Sequence, residues 1–178
     1  MNDFEFCNIE SKKDMDFLYW AFVGDDQYLY STNLHFNTKQ TFENWIWERV
    51  GTDFHDFFIV KDKKSENLIG YVHNYDFSLI DGHCKLSVYI DREYRSTGIG
   101  GFVAVRFLKY LFTKYPLRKV YSTIYDYNYE SLTSNLAAGF IEEGVINEYR
   151  YHDGKYYAIH YLSMSRNGFN DMIRKLVK

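Results

Sequence analysis

The stretch Arg95-Ser96-Thr97-Gly98-Ile99-Gly100-Gly101 follows an apolar run, Leu86-Ser87-Val88-Tyr89-Ile90, and leads directly into a helical pattern. The first turn of a helix carries unpaired N–H groups and the positive end of the helix dipole, so it accepts an anion. Glycines let the backbone approach a ligand without Cβ clashes. A pyrophosphate meets that description, although the same glycines would also serve a tight strand-to-helix turn that binds nothing. Two familiar phosphate loops do not fit. A Walker A loop requires Gly-Lys-Ser/Thr, and Gly100-Gly101-Phe102 supplies no lysine. A dinucleotide fingerprint requires a third small residue where Val103 stands, and it opens a βαβ unit.

Other residues could do chemistry only if the fold turned them into a common cleft. Tyr71, Tyr75, Tyr89, Tyr125, Tyr127, His73 and His160 lie on strand-like segments, where the ordinary outcome is a core or sheet-surface position. Asp25 and Asp26, with Glu43 and Glu48, lie on the substrate-side lid expected from the first two helices. There carboxylates would attract a cationic amine or simply form a solvated face. Cys7 and Cys84 have no partner cysteine and no ligand-spaced histidines beyond the adjacent His83, so neither a metal site nor a disulfide framework is expected. They read as small buried or half-buried thiols.

The elements that must position these groups follow from periodicity and punctuation. A short strand is expected over Phe4 to Ile9, a helix over Lys13 to Val23, and a second helix over Thr38 to Val50. In the second helix Phe42, Trp45, Ile46 and Val50 share one face behind the cap candidates Asn37 and Thr38. Strands over Phe57 to Lys61 and Leu68 to Phe77 flank the polar run Asp62 to Asn67 as a hairpin, and Cys84 to Ile90 follows the turn signal Asp81-Gly82. The helix from Gly98 to Thr113 stops at Tyr115-Pro116, and a strand over Lys119 to Tyr125 comes next. A short helix from Tyr129 to Ala138 ends at Gly139. Strands over Glu142 to Tyr151 and Lys155 to Ser165 then flank the hairpin signal His152-Asp153-Gly154, and a terminal helix spans Asn170 to Val177.

Residues 1–178 hold one proline, Pro116, and no Gly/Ser-rich linker or repeat, so a single domain is expected. Hydrophobic residues make up 46% and aromatics 20%, which promises a core of large rings. With 21 basic against 24 acidic residues, the charge of −3 gives no general attraction to nucleic acid or an anionic membrane. The acidic start and the lack of any run near ~18 apolar residues point to a cytoplasmic protein with neither signal peptide nor span.

Arg95-x-x-Gly98-x-Gly100 resembles the Gln/Arg-x-x-Gly-x-Gly/Ala acyl-CoA signature of the GNAT superfamily. Further on, Asn128-x-x-Ser131-Leu132, Gly139-Phe140 and Asp153-Gly154 are similar to the C-terminal half of the subgroup holding ribosomal-protein alanine acetyltransferases and spermidine acetyltransferases. The resemblance covers about residues 55 to 165. It implies an α+β, GNAT-like fold with a mixed, mostly antiparallel sheet of about seven strands, flanked by helices, in which a splayed strand pair holds acyl-CoA. By that resemblance Val88, Tyr89 and Ile90 line the pantetheine with backbone groups, and Arg95, Ser96, Thr97, Gly98, Ile99, Gly100 and Gly101 hold the pyrophosphate. Asn128 and Ser131 contact the arm near the thiol.

The implied reaction is direct acetyl transfer from acetyl-CoA to a primary amine on a peptide N-terminus, a polyamine or an amino sugar, without a metal. The alternative is a degenerate acyl-CoA-binding sensor or scaffold without turnover, and the acyl chain length and general base stay open. Many GNAT enzymes carry a thiolate-protonating tyrosine four residues before the glycine of Gly-Phe, and here that place is held by Asn135. Ser131 takes the thiol-facing role by resemblance, or merely caps its helix. The aromatic run from Tyr149 to Tyr161 would suit a homodimer surface.

Overall fold

In the computed structural model, which describes residues 3–30 and 35–176, hydrogen bonding orders seven strands as β1-β2-β3-β4-β5-β7-β6. They are β1 (Phe4–Cys7), β2 (Phe57–Asp62), β3 (Leu68–Ser78), β4 (His83–Ile90), β5 (Lys119–Tyr125), β6 (Ile141–His152) and β7 (Lys155–Ser165). The helices are α1 (Lys12–Val23), α2 (Lys39–Trp47), α3 (Ile99–Lys114), α4 (Tyr129–Ala137) and α5 (Arg166–Leu176). The expected mixed sheet is present, antiparallel at β1/β2, β2/β3, β5/β7 and β6/β7 and parallel at β4/β5. Among the described residues no helix is long and apolar enough to cross a membrane. Contacts divide the chain into two compact units.

The first unit contains α1, α2, β1, β2, β3 as far as Tyr75, and the stretch Leu86–Phe107. Ser11 starts α1 with a reciprocal capping box. Its hydroxyl accepts from the Asp14 amide at 3.1 Å, and Asp14 Oδ2 accepts from the amides of Ser11 and Glu10. Burial alone would raise the Asp14 pKa, but the Ser11 hydroxyl, the backbone amides and Lys61 at 3.4 Å together hold it below the usual carboxylate range. Between β2 and β3 the Asp62 carboxylate accepts from the amides of Lys64 and Ser65, which closes the expected hairpin loop. The core is ringed by aromatics, as the composition foretold. Tyr71 is fully buried and stacks on Phe22 at 4.9 Å, Tyr89 at 5.3 Å and Phe57 at 5.4 Å.

The second helix is shorter than its periodicity suggested. It ends at Trp47, and Arg49 and Val50 both donate to the Ile46 carbonyl while Gly51 turns to φ +81. Val50 therefore follows the helix and does not belong to it.

The second unit contains β5, β6, β7, α4, α5 and the later part of α3. The parallel ladder pairs His83–Lys85 with Lys119–Tyr121, so Val88, Tyr89 and Ile90 lie beyond the paired stretch of β4. The β6/β7 turn takes positive φ at Asp153 and Gly154, as the dipeptide requires of a two-residue hairpin. Gly139 stands at φ +92 beyond α4, and the Phe140 amide reaches the Asn135 carbonyl at 3.1 Å, the bond of a Schellman cap. The last helix begins at Arg166, four residues before the expected Asn170, because Ser165 Oγ accepts from the Gly168 amide at 3.0 Å and caps it. Val177 lies outside the described residues.

Candidate functional site

Between Ile90 and α3 the chain is shaped by local bonds. Asp91 caps a single 3-10 turn, Arg92–Tyr94, by accepting from the Glu93 amide at 3.1 Å. Ser96 and Gly98 then both take left-handed backbone, φ +60 and +81, around Thr97, whose hydroxyl donates to the Tyr94 carbonyl at 2.7 Å. Gly98 owes its identity to that dihedral, since a Cβ there would meet nothing within 4 Å. At the mouth of α3 the Ile99 amide reaches Thr97 Oγ1 only at 3.4 Å, and the Gly101 amide reaches the Gly98 carbonyl at 3.2 Å. The first is longer than an ordinary N–H···O bond and the second stands at the upper end of that range. No acidic side chain occupies this first turn, and a Cβ on Gly101 would also meet nothing. Sixteen residues of helix stand behind these amides, so the mouth suits an anion.

The side chain of Arg95 turns into the protein. Its Nε donates to the Ile90 carbonyl at 2.8 Å and its Nη2 to Asp26 Oδ2 at 2.6 Å, while Arg92 donates twice to Asp26 Oδ1, at 3.0 and 2.8 Å. Asp26 is only 6% exposed. Burial opposes its ionisation, yet the hydrogen bonds and charges of Arg95 and Arg92 outweigh that and hold its pKa below the usual range. This corrects both sequence readings of Asp26: it is neither a solvated face nor free to attract an amine. Asp25 beside it is open to solvent.

Val88, Tyr89 and Ile90 are half-buried. Burial first, then Asp91 and Asp26, push the Tyr89 phenol up to about 12, so it stays protonated; its hydroxyl lies 3.4 Å from Asp26 Oδ2. Tyr71 and His73 are core residues. His73 is enclosed by Phe57, Tyr71, Tyr75 and His55, and burial, aided by His55, brings its pKa down to about 3. It is a neutral imidazole at pH 7.

In the second unit Asn128 is the N-cap residue of α4, but its side chain makes no capping bond. Its carbonyl accepts from the Leu132 amide and its own amide donates to the Tyr125 carbonyl. Ser131 lies within the first turn, so it is not the capping residue. Asn135 Nδ2 donates to the Ser131 carbonyl at 2.8 Å and stands 3.5 Å from its hydroxyl, which brings the two candidate catalytic residues together. Tyr127 donates to the Tyr28 carbonyl, and the Tyr28 ring stacks on His152 at 5.0 Å. His160 is paired with Glu142 at 2.7 Å. The residues that sequence reasoning missed are Asp26 and Arg92 as partners, and the Tyr28–His152 stack, joined across chain separations that no local pattern reports.

Residues 8–141 match the family model described as an acetyltransferase (GNAT) domain. Among curated proteins, an SPbeta prophage-derived uncharacterized N-acetyltransferase, YokL, of Bacillus subtilis (strain 168) is 24% identical over 147 residues, 82% of each chain. Among solved structures, the spermidine N-acetyltransferase from Vibrio cholerae in complex with CoA and spermine superposes with a TM-score of 0.85 at 20% identity, covering 94% of this chain and 98% of that one. A dodecameric structure of the same enzyme in an intermediate state gives 0.80 at 20% identity, covering 93% and 95%.

Proposed function

The chain belongs to the GNAT acetyltransferase family, and from that premise we propose that the loop Ser96–Gly101 receives the pyrophosphate of acetyl-CoA, whose acetyl group is passed to a primary amine. The observation that carries this reading is the mouth of α3, where two left-handed residues lead into the first-turn amides, the Ile99 amide holding only a 3.4 Å contact, with no acidic residue in that turn. Val88, Tyr89 and Ile90, beyond the ladder that ties β4 to β5, offer backbone groups that can bond the amides of the pantetheine as an added strand would.

The transfer is direct. The amine nitrogen attacks the thioester carbonyl, the C–S bond breaks, and the departing thiolate takes up a proton while the new amide loses one. An ammonium of pKa near ~10 must first be deprotonated. His73, at about 3, is too weak a base to do this directly. Ser131 is the residue assigned to the sulfur, with Asn135 holding its turn of helix.

The acceptor is a small amine or a peptide N-terminus. Polyamines head the panel, because a structural neighbour was crystallised with spermine. That neighbour also forms a dodecamer, and the exposed Tyr149, Tyr151 and Tyr156 give this chain an aromatic face on which copies can pair.

The test is calorimetry with CoA followed by a free-thiol assay across polyamines, amino sugars and peptide N-termini. CoA binding with thiol release for one amine class supports the reading. Binding without release for any amine supports an acyl-CoA-binding module, and no binding removes the loop assignment.

A further inference from the structure

We propose that Asp26 is a positioning residue for acyl-CoA: by holding the guanidinium groups of Arg92 and Arg95 it fixes the backbone of the Ser96–Gly101 loop. The proposal rests on the reading of that loop as the pyrophosphate site.

Both Asp26 oxygens are engaged, Oδ1 by two nitrogens of Arg92 and Oδ2 by Arg95 Nη2 at 2.6 Å. The two arginines bracket the 3-10 turn that precedes the loop. Arg95 is further tied to the end of β4 through the Ile90 carbonyl, and its guanidinium lies over the Tyr89 ring at 5.5 Å. Immediately beyond it Ser96 is held at φ +60, a conformation uncommon for residues other than glycine. The clamp adds to the constraint that the Thr97 hydroxyl and the Tyr94 carbonyl already place on this turn. It also joins the chain just past α1 to the phosphate loop, over a separation of 66 to 69 residues.

Positioning and simple charge balance predict opposite signs. Were Asp26 only a counter-charge, its neutralisation would raise the net positive charge beside the loop, and CoA would bind more tightly, most of all at low salt. If Asp26 positions the loop, neutralisation lets Ser96 and the following amides move, and binding weakens at every ionic strength.

The experiment is calorimetric titration of the full chain and its Asp26→Asn variant with CoA at low and moderate salt, below each protein's unfolding transition. Expected is a roughly tenfold weaker Kd for Asp26→Asn at both salt concentrations, partial recovery in Asp26→Glu, and no further loss in the double variant Asp26→Asn/Arg95→Gln. In the acetyl-transfer assay KM for acetyl-CoA rises while kcat at saturation changes less than twofold. Equal or tighter CoA binding by Asp26→Asn overturns the proposal while leaving the loop assignment intact. Absence of CoA binding by the unmodified chain overturns both. Should Asp26→Asn fail to fold, Asp26→Glu carries the test: it keeps the counter-charge and changes the geometry, so weaker CoA binding supports positioning and unchanged binding overturns it.

Discussion

A Cβ built on Gly70 would stand 2.1 Å from the carbonyl oxygen of Tyr89 and 3.1 Å from Cδ1 of Ile90. The glycine on β3 is therefore required by the close approach of β4, at the residues assigned to the cofactor arm. Gly70→Ala must push the two strands apart, since the clash is with backbone and not with the end of a flexible side chain. The expected cost is about 1–3 kcal/mol of stability, together with weaker CoA binding, because Tyr89 and Ile90 move. Urea unfolding and a CoA titration of the variant check both parts. Unchanged values in both would mean the strands adjust freely.

Arg166 satisfies three backbone carbonyls at the end of α3 and just beyond it: Phe112 at 2.7 Å, Tyr115 at 2.8 Å and Leu117 at 2.8 Å. A cation at a helix C-terminus also meets the negative end of the dipole. Arg166→Gln keeps the stem but loses the charge and most of the fork, so a loss of roughly 2 kcal/mol is expected. It should appear as faster unfolding with kcat unchanged below the transition. An unaltered denaturation midpoint would assign those carbonyls to water.

Stability should decline with falling pH in two overlapping windows. The folded pKa of His73, about 3, lies far below its unfolded value of 6.5. Below pH 6.5 the unfolded chain gains a proton that the folded chain refuses, so stability falls by up to about 1.4 kcal/mol per pH unit. His55, also lowered by burial, acts in the same direction. The carboxylates of Asp14 and Asp26 have depressed folded values, so their contribution is complete above the unfolded value of ~3.9 and is lost only as pH falls below that. Unfolding curves from pH 7.5 to 2 should cover both windows. His73→Phe should flatten the slope between pH 6.5 and 5 and leave the acid limb in place, and an equal slope in both proteins would refute the assignment to His73.

What the sequence made legible was local. The glycine turn into α3, the hairpin at Asp153-Gly154 and the cap at Gly139 are each written in two to seven consecutive residues, and each appears where those residues stand. The aromatic core was legible as composition, although the choice of Tyr71 as its centre was not. Boundaries failed where capping competed with periodicity: Val50 continues the apolar stripe of α2 but lies past its last turn, and Ser165 reads as the end of a strand while it caps α5. Asp26 could not be read at all. Its burial depends on two arginines far along the chain, and its neighbour Asp25, chemically identical, remains in solvent.

Asn135 stands where many members of the family carry a tyrosine, and its side chain bonds the Ser131 carbonyl one turn earlier. The amide can orient that turn but cannot give up a proton as a phenol does, and the proposed mechanism gives that role to the Ser131 hydroxyl, 3.5 Å from Asn135 Nδ2. Ser131→Ala is therefore expected to lower kcat by about 10–100-fold with little change in KM for acetyl-CoA, since general-acid assistance to the thiolate operates in the transition state and not in binding. Ser131→Cys, which keeps a dissociable proton, should retain more activity and shift the pH dependence of kcat. Asn135→Ala should lose less than Ser131→Ala, because it disturbs only the orientation. If Ser131→Ala turns over at the unmodified rate, the sulfur takes its proton from solvent, and the serine serves only the first turn of α4.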